Sequence, residues 1–280
     1  MTNTMSPFVK WAGGKTQLIE RLREKAPPFF HTYYEPFLGG GALFLHEGYP
    51  QAVVSDVNRE LINVYRQIRD DVEAVIEAVN RLDGEECDQA YYTGVRTAYN
   101  DKIRRGGIDV ECAAMMIWLN KHCFNGLYRV NGKGLFNVSW NRRTRGDSID
   151  ERNLRAVSSY LRSAKVEIRQ GDFEEACADA KAGDFVFFDS PYVPISVTAA
   201  FSDYTKDGFT LADHERLAAL FRRLDRLGVY LLLTNNDVPL VRELYDGYVI
   251  EPVDVRRYIN CKASKRRSRE VIVTNRRRPL

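Results

Sequence analysis

The stretch DFVFFDSPYVPI, Asp184 to Ile195, sets an unbroken apolar run against an acid. Phe185 to Phe188 follow one another without a polar residue, and Asp189 ends the run. A run without alternation reads as a strand covered on both faces, the pattern of a parallel sheet. An acid at the carboxyl end of a central strand points into the crevice where open α/β sheets bind ligands. The chain then breaks into Ser190-Pro191-Tyr192. Pro191 restricts the turn and removes an amide donor, which leaves mainly carbonyl acceptors. Tyr192 offers a flat face on which a base can stack. Acid, carbonyls and ring together suit an exocyclic amine on a planar ring. Acceptors on the amine hydrogens and stacking beneath the ring favour a pyramidal, nucleophilic nitrogen. The plainer alternative is an ordinary strand end followed by a turn.

Outward from this run, further apolar segments alternate with helical patterns. YYEPF (33–37), AVVSD (52–56), VEIRQ (166–170), VYLLLTN (229–235), YVIEPV (248–253) and EVIVTN (270–275) join FVFFD (185–189) as strands. TLADHERLAALFRRLDRLG opens with Thr210 and Asp213 in capping-box spacing and closes at Gly228. The alternation predicts a doubly wound α/β sheet. From about Asn58 to Ala164 the pattern is instead helical and polar, and it contains the Gly- and Asn-rich stretch FNGLYRVNGKGLFNVSW (124–140). This part reads as a mainly helical insertion with a hairpin-like loop, set between the second and third strands.

Two glycine-rich stretches precede the insertion. YYEPFLGGGALFL places Gly39-Gly40-Gly41 between a short strand and a helix start. Glycines there let a ligand approach the backbone, and the amides of a helix start favour polar or anionic groups. Asp56 ends the next strand, where an acid can bind both hydroxyls of a ribose. Loop and spaced acid together point to a nucleoside cofactor. The dinucleotide fingerprint fails, because Phe44 stands where its last glycine belongs. WAGGKTQ (11–17) is no Walker A loop, since Val9 replaces the required first glycine. For this segment taken alone, a capped helix start with a surface lysine remains open.

The chain has 280 residues, of which 44% are hydrophobic and 28% charged, enough for a sizeable core in one large domain or two small ones. No apolar run approaches the roughly 20 residues of a membrane span, and the N-terminus lacks the pattern of a secretory signal. Five scattered cysteines without a C-x-x-C pair argue against a disulfide framework or structural zinc and fit a reducing cytoplasm. Net charge is +3, unevenly placed. Eight basic residues against one acid put Lys262 to Arg278 at +7 and the remainder at −4. A basic edge holding Lys265, Arg266 and Arg267 on a mildly acidic body suggests a polyanion partner, against the alternative of a solvated tail.

Taken in order, FVKWAGGK (8–15), EPFLGGGALF (35–44), VVSDVN (53–58), NKHCFNGLYRVNGKGLFNV (120–138), FFDSPY (187–192), FTLADHERLA, LLLTNND and RRYINCKASKRRSREVIVTN resemble the Dam-like, D12-class DNA adenine-N6 methyltransferases over nearly the whole chain. The order of cofactor loop, recognition insert and catalytic motif is that of the alpha group of amino-methyltransferases. The resemblance implies a mostly parallel seven-stranded methyltransferase sheet. It divides the chain into a catalytic domain, 1–58 and 165–280, and a target-recognition insert, 59–164. It implies S-adenosylmethionine as methyl donor and no metal. Its other implications are double-stranded DNA as substrate, methylation at GATC, a monomer in a bacterial or phage-infected cytoplasm, and a separately acting restriction endonuclease as candidate partner.

Residue by residue, the resemblance assigns Trp11, Lys15, Glu35, Phe37, Gly39, Gly41, Asp56, Asp172 and Asp189 to the cofactor. Asp189, Ser190, Pro191 and Tyr192 form its catalytic motif, with the adenine flipped onto Tyr192. Lys10, Phe124, Asn125, Leu127, Arg129 and Asn137 contact DNA, with Phe124 and Asn125 at the vacated base, Arg129 on a guanine and Lys10 at an outer base pair. Apart from the resemblance, the residues read rather as a core aromatic at Phe124 and a solvated charge at Arg129. The family pattern is Asp-Pro-Pro-Tyr, and Ser190 replaces its first proline. The rival readings are N4-cytosine methylation and a DNA-binding homologue silenced by Ser190.

Overall fold

Seven strands form one sheet: β1 Tyr33–Glu35, β2 Gln51–Asp56, β3 Lys165–Gln170, β4 Phe185–Phe188, β5 Tyr230–Asn236, β6 Val249–Arg256 and β7 Arg267–Thr274. Their order is β3-β2-β1-β4-β5-β7-β6. The pairs β1–β2, β1–β4 and β4–β5 are parallel, and β7 runs antiparallel to both β5 and β6. The computed structural model describes residues 5–194, 208–256 and 267–276, with the backbone alone at Arg256, Arg267 and Ser268. Each of the seven expected strands is present. In the parallel strands β2, β4 and β5 the runs 52–54, 185–188 and 231–233 are apolar without alternation and buried, as burial on both faces requires. β4 is buried along its whole length.

The helices are α1 Ile19–Lys25, α2 Ala42–Glu47, α3 Arg59–Asp70, α4 Val72–Asp83, α5 Gln89–Arg104, α6 Val110–His122, α7 Glu151–Ser163, α8 Phe173–Ala176, α9 Leu211–Arg226 and α10 Pro239–Leu244. Five of them, α3 to α7, lie between β2 and β3, as the polar helical pattern predicts. Each opens on an Asx residue, Asn58, Asp71, Asp88, Asp109 or Asp150, whose side chain accepts from the amide three residues on. The capping box of α9 forms as read, with Thr210 and Asp213 each bonded to the other's backbone amide.

Two compact units share the chain. One comprises Met1–Thr16, Gly39–Pro50 and Asp56–Gln170; the other comprises Gln17–Leu38, Gln51–Ser55 and Gly171–Leu280. In the first unit α6 is the central helix. Ala113, Ala114, Met116, Ile117, Trp118 and Leu119 are all buried, so α6 is covered on every side. In the second unit Val186, Phe188, Leu231, Leu233, Val271 and Val273 of the sheet pack with Leu217, Phe221 and Leu224 of α9. No helix among the described residues is long and apolar enough to cross a membrane.

Candidate active site

The strand order reverses between β1 and β4, which are parallel neighbours in the second unit. Ligands of open α/β sheets bind outside the carboxyl ends of strands at such a switch point. Asp189 stands there, one residue past β4. The register Phe188↔Leu233 sets it opposite Thr234 of β5. The Thr234 hydroxyl donates to Asp189 Oδ1 at 2.9 Å. Beyond Asp189, Ser190 is buried and its Oγ has no hydrogen-bond partner among the described residues. Pro191 is exposed and Tyr192 half-buried. The Tyr192 hydroxyl donates to the buried Glu270 of β7 at 3.0 Å. Burial raises the Tyr192 phenol well above its ordinary value, and the charges of Asp189 and Glu270 raise it further, so it stays a protonated donor. The backbone of Val193 closes the loop. Its amide donates to Asn235 Oδ1 at 2.9 Å, and its carbonyl accepts from Asn236 Nδ2 at 2.6 Å.

Three further predicted residues lie in this unit. Glu35 ends β1, is buried and accepts from the Tyr33 hydroxyl at 2.7 Å. Phe37 stacks on Phe173, with ring centroids 5.3 Å apart. Asp172 caps α8 through the Glu174 amide and pairs with Arg216 at 2.8 Å. Arg216 also reaches Glu174 and lies 4.8 Å from the centre of the Phe173 ring. The cofactor residue implied at position 172 is thus tied to α9 by an ion pair that no local motif announces.

The first unit carries the glycine loop and the recognition stretch. Gly39 and Gly41 both take left-handed backbone, and Gly41 caps α2. A Cβ on Gly39 would stand 2.7 Å from Trp11 Cδ1, so only glycine fits against that ring. The Gly39 amide donates to Asp56 Oδ2 at 2.9 Å, and the Asn58 amide donates to Asp56 Oδ1 at 2.9 Å. Burial raises the Asp56 carboxyl, against the lowering effect of the amides of Asn58, Gly39 and Val57. Lys15 is buried and donates to the Gly13 carbonyl. This is no surface lysine, and α1 begins only at Ile19 without a side-chain cap.

Trp11 stacks on Tyr128 with centroids 5.4 Å apart and planes at 18°. Buried Asn120 of α6 accepts from the Lys10 amide at 2.7 Å and donates to the carbonyls of Lys10 at 2.9 Å and Gly126 at 3.0 Å. The segment 8–15 and the turn 124–127 are thereby held together within one unit. Phe124 is 53% exposed, which sets aside its reading as a core aromatic. Asn125 is exposed in left-handed backbone and Leu127 half-buried. Isolated bridges Cys123↔Trp140 and Val130↔Phe136 form the expected hairpin-like loop. They bring together two predicted DNA contacts, since Arg129 Nε donates to Asn137 Oδ1 at 2.9 Å. Lys10 and Arg129 are exposed. Lys265 and Arg266 lie outside the described residues, and Arg267 begins β7 with its backbone alone described.

Sequence alone does not mark Thr234, Asn235, Asn236, Glu270, Asn120 or Tyr128. The one signal for the first three is that LLLTNND turns from apolar to polar at the carboxyl end of a buried strand. Asn120 and Glu270 sit inside motif stretches with nothing local to mark them.

The chain was compared with known proteins. It is 40% identical over 272 residues to Type II methyltransferase M1.LlaDCHI of Lactococcus lactis subsp. cremoris, covering 97% of this chain and 95% of that protein. It is 38% identical over 279 residues to Type II methyltransferase M.MjaIII of Methanocaldococcus jannaschii, covering 94% and 96%. A DNA adenine methylase of Serratia marcescens is 32% identical over 257 residues, covering 90% and 92%. The family model for D12 class N6 adenine-specific DNA methyltransferases matches residues 11–259. With Asp189 at the switch point of a seven-stranded sheet and relatives aligned end to end, the chain belongs to the D12 class of N6 adenine-specific DNA methyltransferases.

Proposed function

We propose that the chain transfers a methyl group from S-adenosylmethionine to N6 of the adenine in GATC, in double-stranded DNA. The observation that carries the reading is Asp189, an acceptor past the carboxyl end of β4 with Tyr192 three residues on. Asp189 takes one hydrogen of the target amine, the Ser190 carbonyl takes the other, and the Tyr192 ring stacks on the flipped base. With both hydrogens held, the nitrogen lone pair turns out of conjugation and becomes nucleophilic.

The residues of the first unit fit the cofactor by their chemistry. Asp56 is an acceptor for ribose hydroxyls, and the left-handed Gly39 and Gly41 bare the backbone beside it. Trp11 and Lys15 belong to the same segment, and Glu35, Phe37 and Asp172 are further residues assigned to the cofactor. The bound cofactor supplies an electrophilic methyl. On the DNA side, exposed Phe124 and Asn125 fill or contact the vacated duplex, helped by Leu127. Arg129, held by Asn137, reads a guanine, and Lys10 contacts an outer base pair. Residues 59–164 act as the recognition part of a cytoplasmic monomer that needs no restriction partner for chemistry.

The test is a plasmid methylated by the purified protein, hydrolysed to nucleosides for mass analysis and digested with enzymes sensitive to adenine methylation. We expect N6-methyladenine, confined to GATC. N4-methylcytosine would overturn the chemistry; methyladenine in another tetranucleotide would overturn the specificity alone.

A further inference from the structure

β5 ends on three consecutive buried polar residues, Thr234, Asn235 and Asn236. Polar side chains in a sheet core are retained at a cost unless they are bonded. All three are bonded to the catalytic loop. Thr234 donates to Asp189 Oδ1 at 2.9 Å. Asn235 Oδ1 accepts from the amides of Val193 and Asn236, both at 2.9 Å. Asn236 Nδ2 donates to the Val193 carbonyl at 2.6 Å. One strand end therefore grips the motif at its acid and again four residues later, and Ser190, Pro191 and Tyr192 are the span between.

A carboxylate can rotate about two single bonds. An O–H donor of fixed position on one oxygen removes that freedom and sets where the other oxygen points. Thr234 is fully buried in the strand beside β4, so its hydroxyl is such a donor. We propose that Thr234 is a positioning residue for methyl transfer. Acting through Asp189, it orients the carboxylate towards the target amine, while Asn235 and Asn236 hold the loop that carries the Ser190 carbonyl and the Tyr192 ring. The inference rests on Asp189 being the acceptor of that amine. It adds an arrangement made before substrate arrives, which favours the transition state over the ground state.

Thr234→Val keeps the branched shape and removes the donor. The single-turnover rate constant on a GATC duplex should fall roughly tenfold to a hundredfold, the scale of an orientation error in a positioned group. Duplex affinity and cofactor affinity, measured by titration without turnover, should stay at the natural values. Thr234→Ser restores the hydroxyl and should restore the rate. A merely structural threonine would lower stability in both variants without separating rate from binding. Should Thr234→Val not fold, Thr234→Ala removes the same hydroxyl with less bulk and carries the comparison with serine. An unchanged rate in the folded hydroxyl-free variant overturns the proposal, and so does a serine variant as slow as the valine one. Asp189→Asn is measured alongside. If it methylates at the natural rate, the reading of Asp189 itself fails. If it is inactive while Thr234→Val is unimpaired, the positioning role alone fails.

Discussion

Ser190 departs from the family's proline, and its surroundings give it nothing in return. Its side chain is 2% exposed, with a hydroxyl that finds no partner among the described residues. Leaving a buried hydroxyl unbonded costs about 1–3 kcal/mol. Ser190→Pro removes that group and fixes φ near about −65°, which narrows the range of the carbonyl proposed to hold the amine. The variant should be at least as stable as the natural chain in thermal denaturation. Its single-turnover rate should hold or rise, with cofactor affinity unchanged; a slower, equally folded variant would count against the carbonyl's role.

Asp56 gives the second prediction at this scale. Asp56→Ala removes charge-assisted bonds worth roughly 1.5–3 kcal/mol each. Calorimetry should show cofactor affinity falling more than tenfold while duplex binding stays near normal. The pH dependence has a definite sign. Burial lifts the folded Asp56 carboxyl above its ordinary value, so the folded state holds that proton more tightly than the unfolded chain does. Its contribution to stability is full below the ordinary aspartate value and is lost as pH rises through the lifted one. With the carboxylate as the proposed ribose acceptor, cofactor binding should fail on acidification at a higher pH than an ordinary aspartate would dictate. Cofactor affinity that falls only within the ordinary aspartate range would refute this.

At the scale of the element, α9 couples sheet stability to pH. His214 lies in its first turn, 3% exposed, edge-on to Phe209 with centroids 4.8 Å apart. Burial lowers its pKa from 6.5 to about 4, against the raising charge of Asp213. The imidazole is therefore neutral in the folded chain at pH values where the unfolded chain would protonate it. Stability from this group is present above about 6.5 and is lost as pH falls to about 4. The loss amounts to about 2–4 kcal/mol. Urea unfolding across that interval should show the decline, and His214→Leu should flatten it. A natural chain equally stable at both ends would show that the imidazole is protonated in the fold. The same element holds a residue proposed for the cofactor, since Arg216, two residues on, pairs with Asp172 and Glu174.

For the molecule as a whole, what could be read from sequence divides along a physical line. Strands were legible because burial on both faces demands apolar runs, and the runs at 185–188 and 231–233 meet that demand without ambiguity. Helix starts were legible where a cap needs a particular side chain, as at Thr210. Candidate ligand residues could be named where they belong to ordered motifs. Pairings between distant side chains were not. Thr234 and Asp189 are 45 residues apart, and Arg216 and Asp172 are 44 apart, and only strand register or helix packing brings them together. Lys15 shows the same limit, since a lysine beside two glycines looks solvated until the Gly13 carbonyl is seen to hold it.

Charge, by contrast, needs no register, and it yields the prediction that belongs to the whole chain. Lys262 to Arg278 carries +7 on a remainder of −4. Such asymmetry draws a polyanion to that segment whatever its sequence, by release of counterions from the phosphates. Neutralising Lys265, Arg266 and Arg267 together should weaken binding to every duplex by the same factor. The slope of log affinity against log salt should fall by about 2–3, near 0.9 for each phosphate that no longer meets a cation. Arg129→Ala should behave differently. Loss of a bidentate pair to guanine costs about 1–3 kcal/mol at the cognate site, relaxes discrimination at that base pair, and leaves the salt slope almost unchanged. Filter binding of cognate and single-substituted duplexes over a salt series separates the two. If the triple neutralisation altered discrimination, or Arg129→Ala altered only the slope, the division between a phosphate-holding segment and a base-reading hairpin would be wrong.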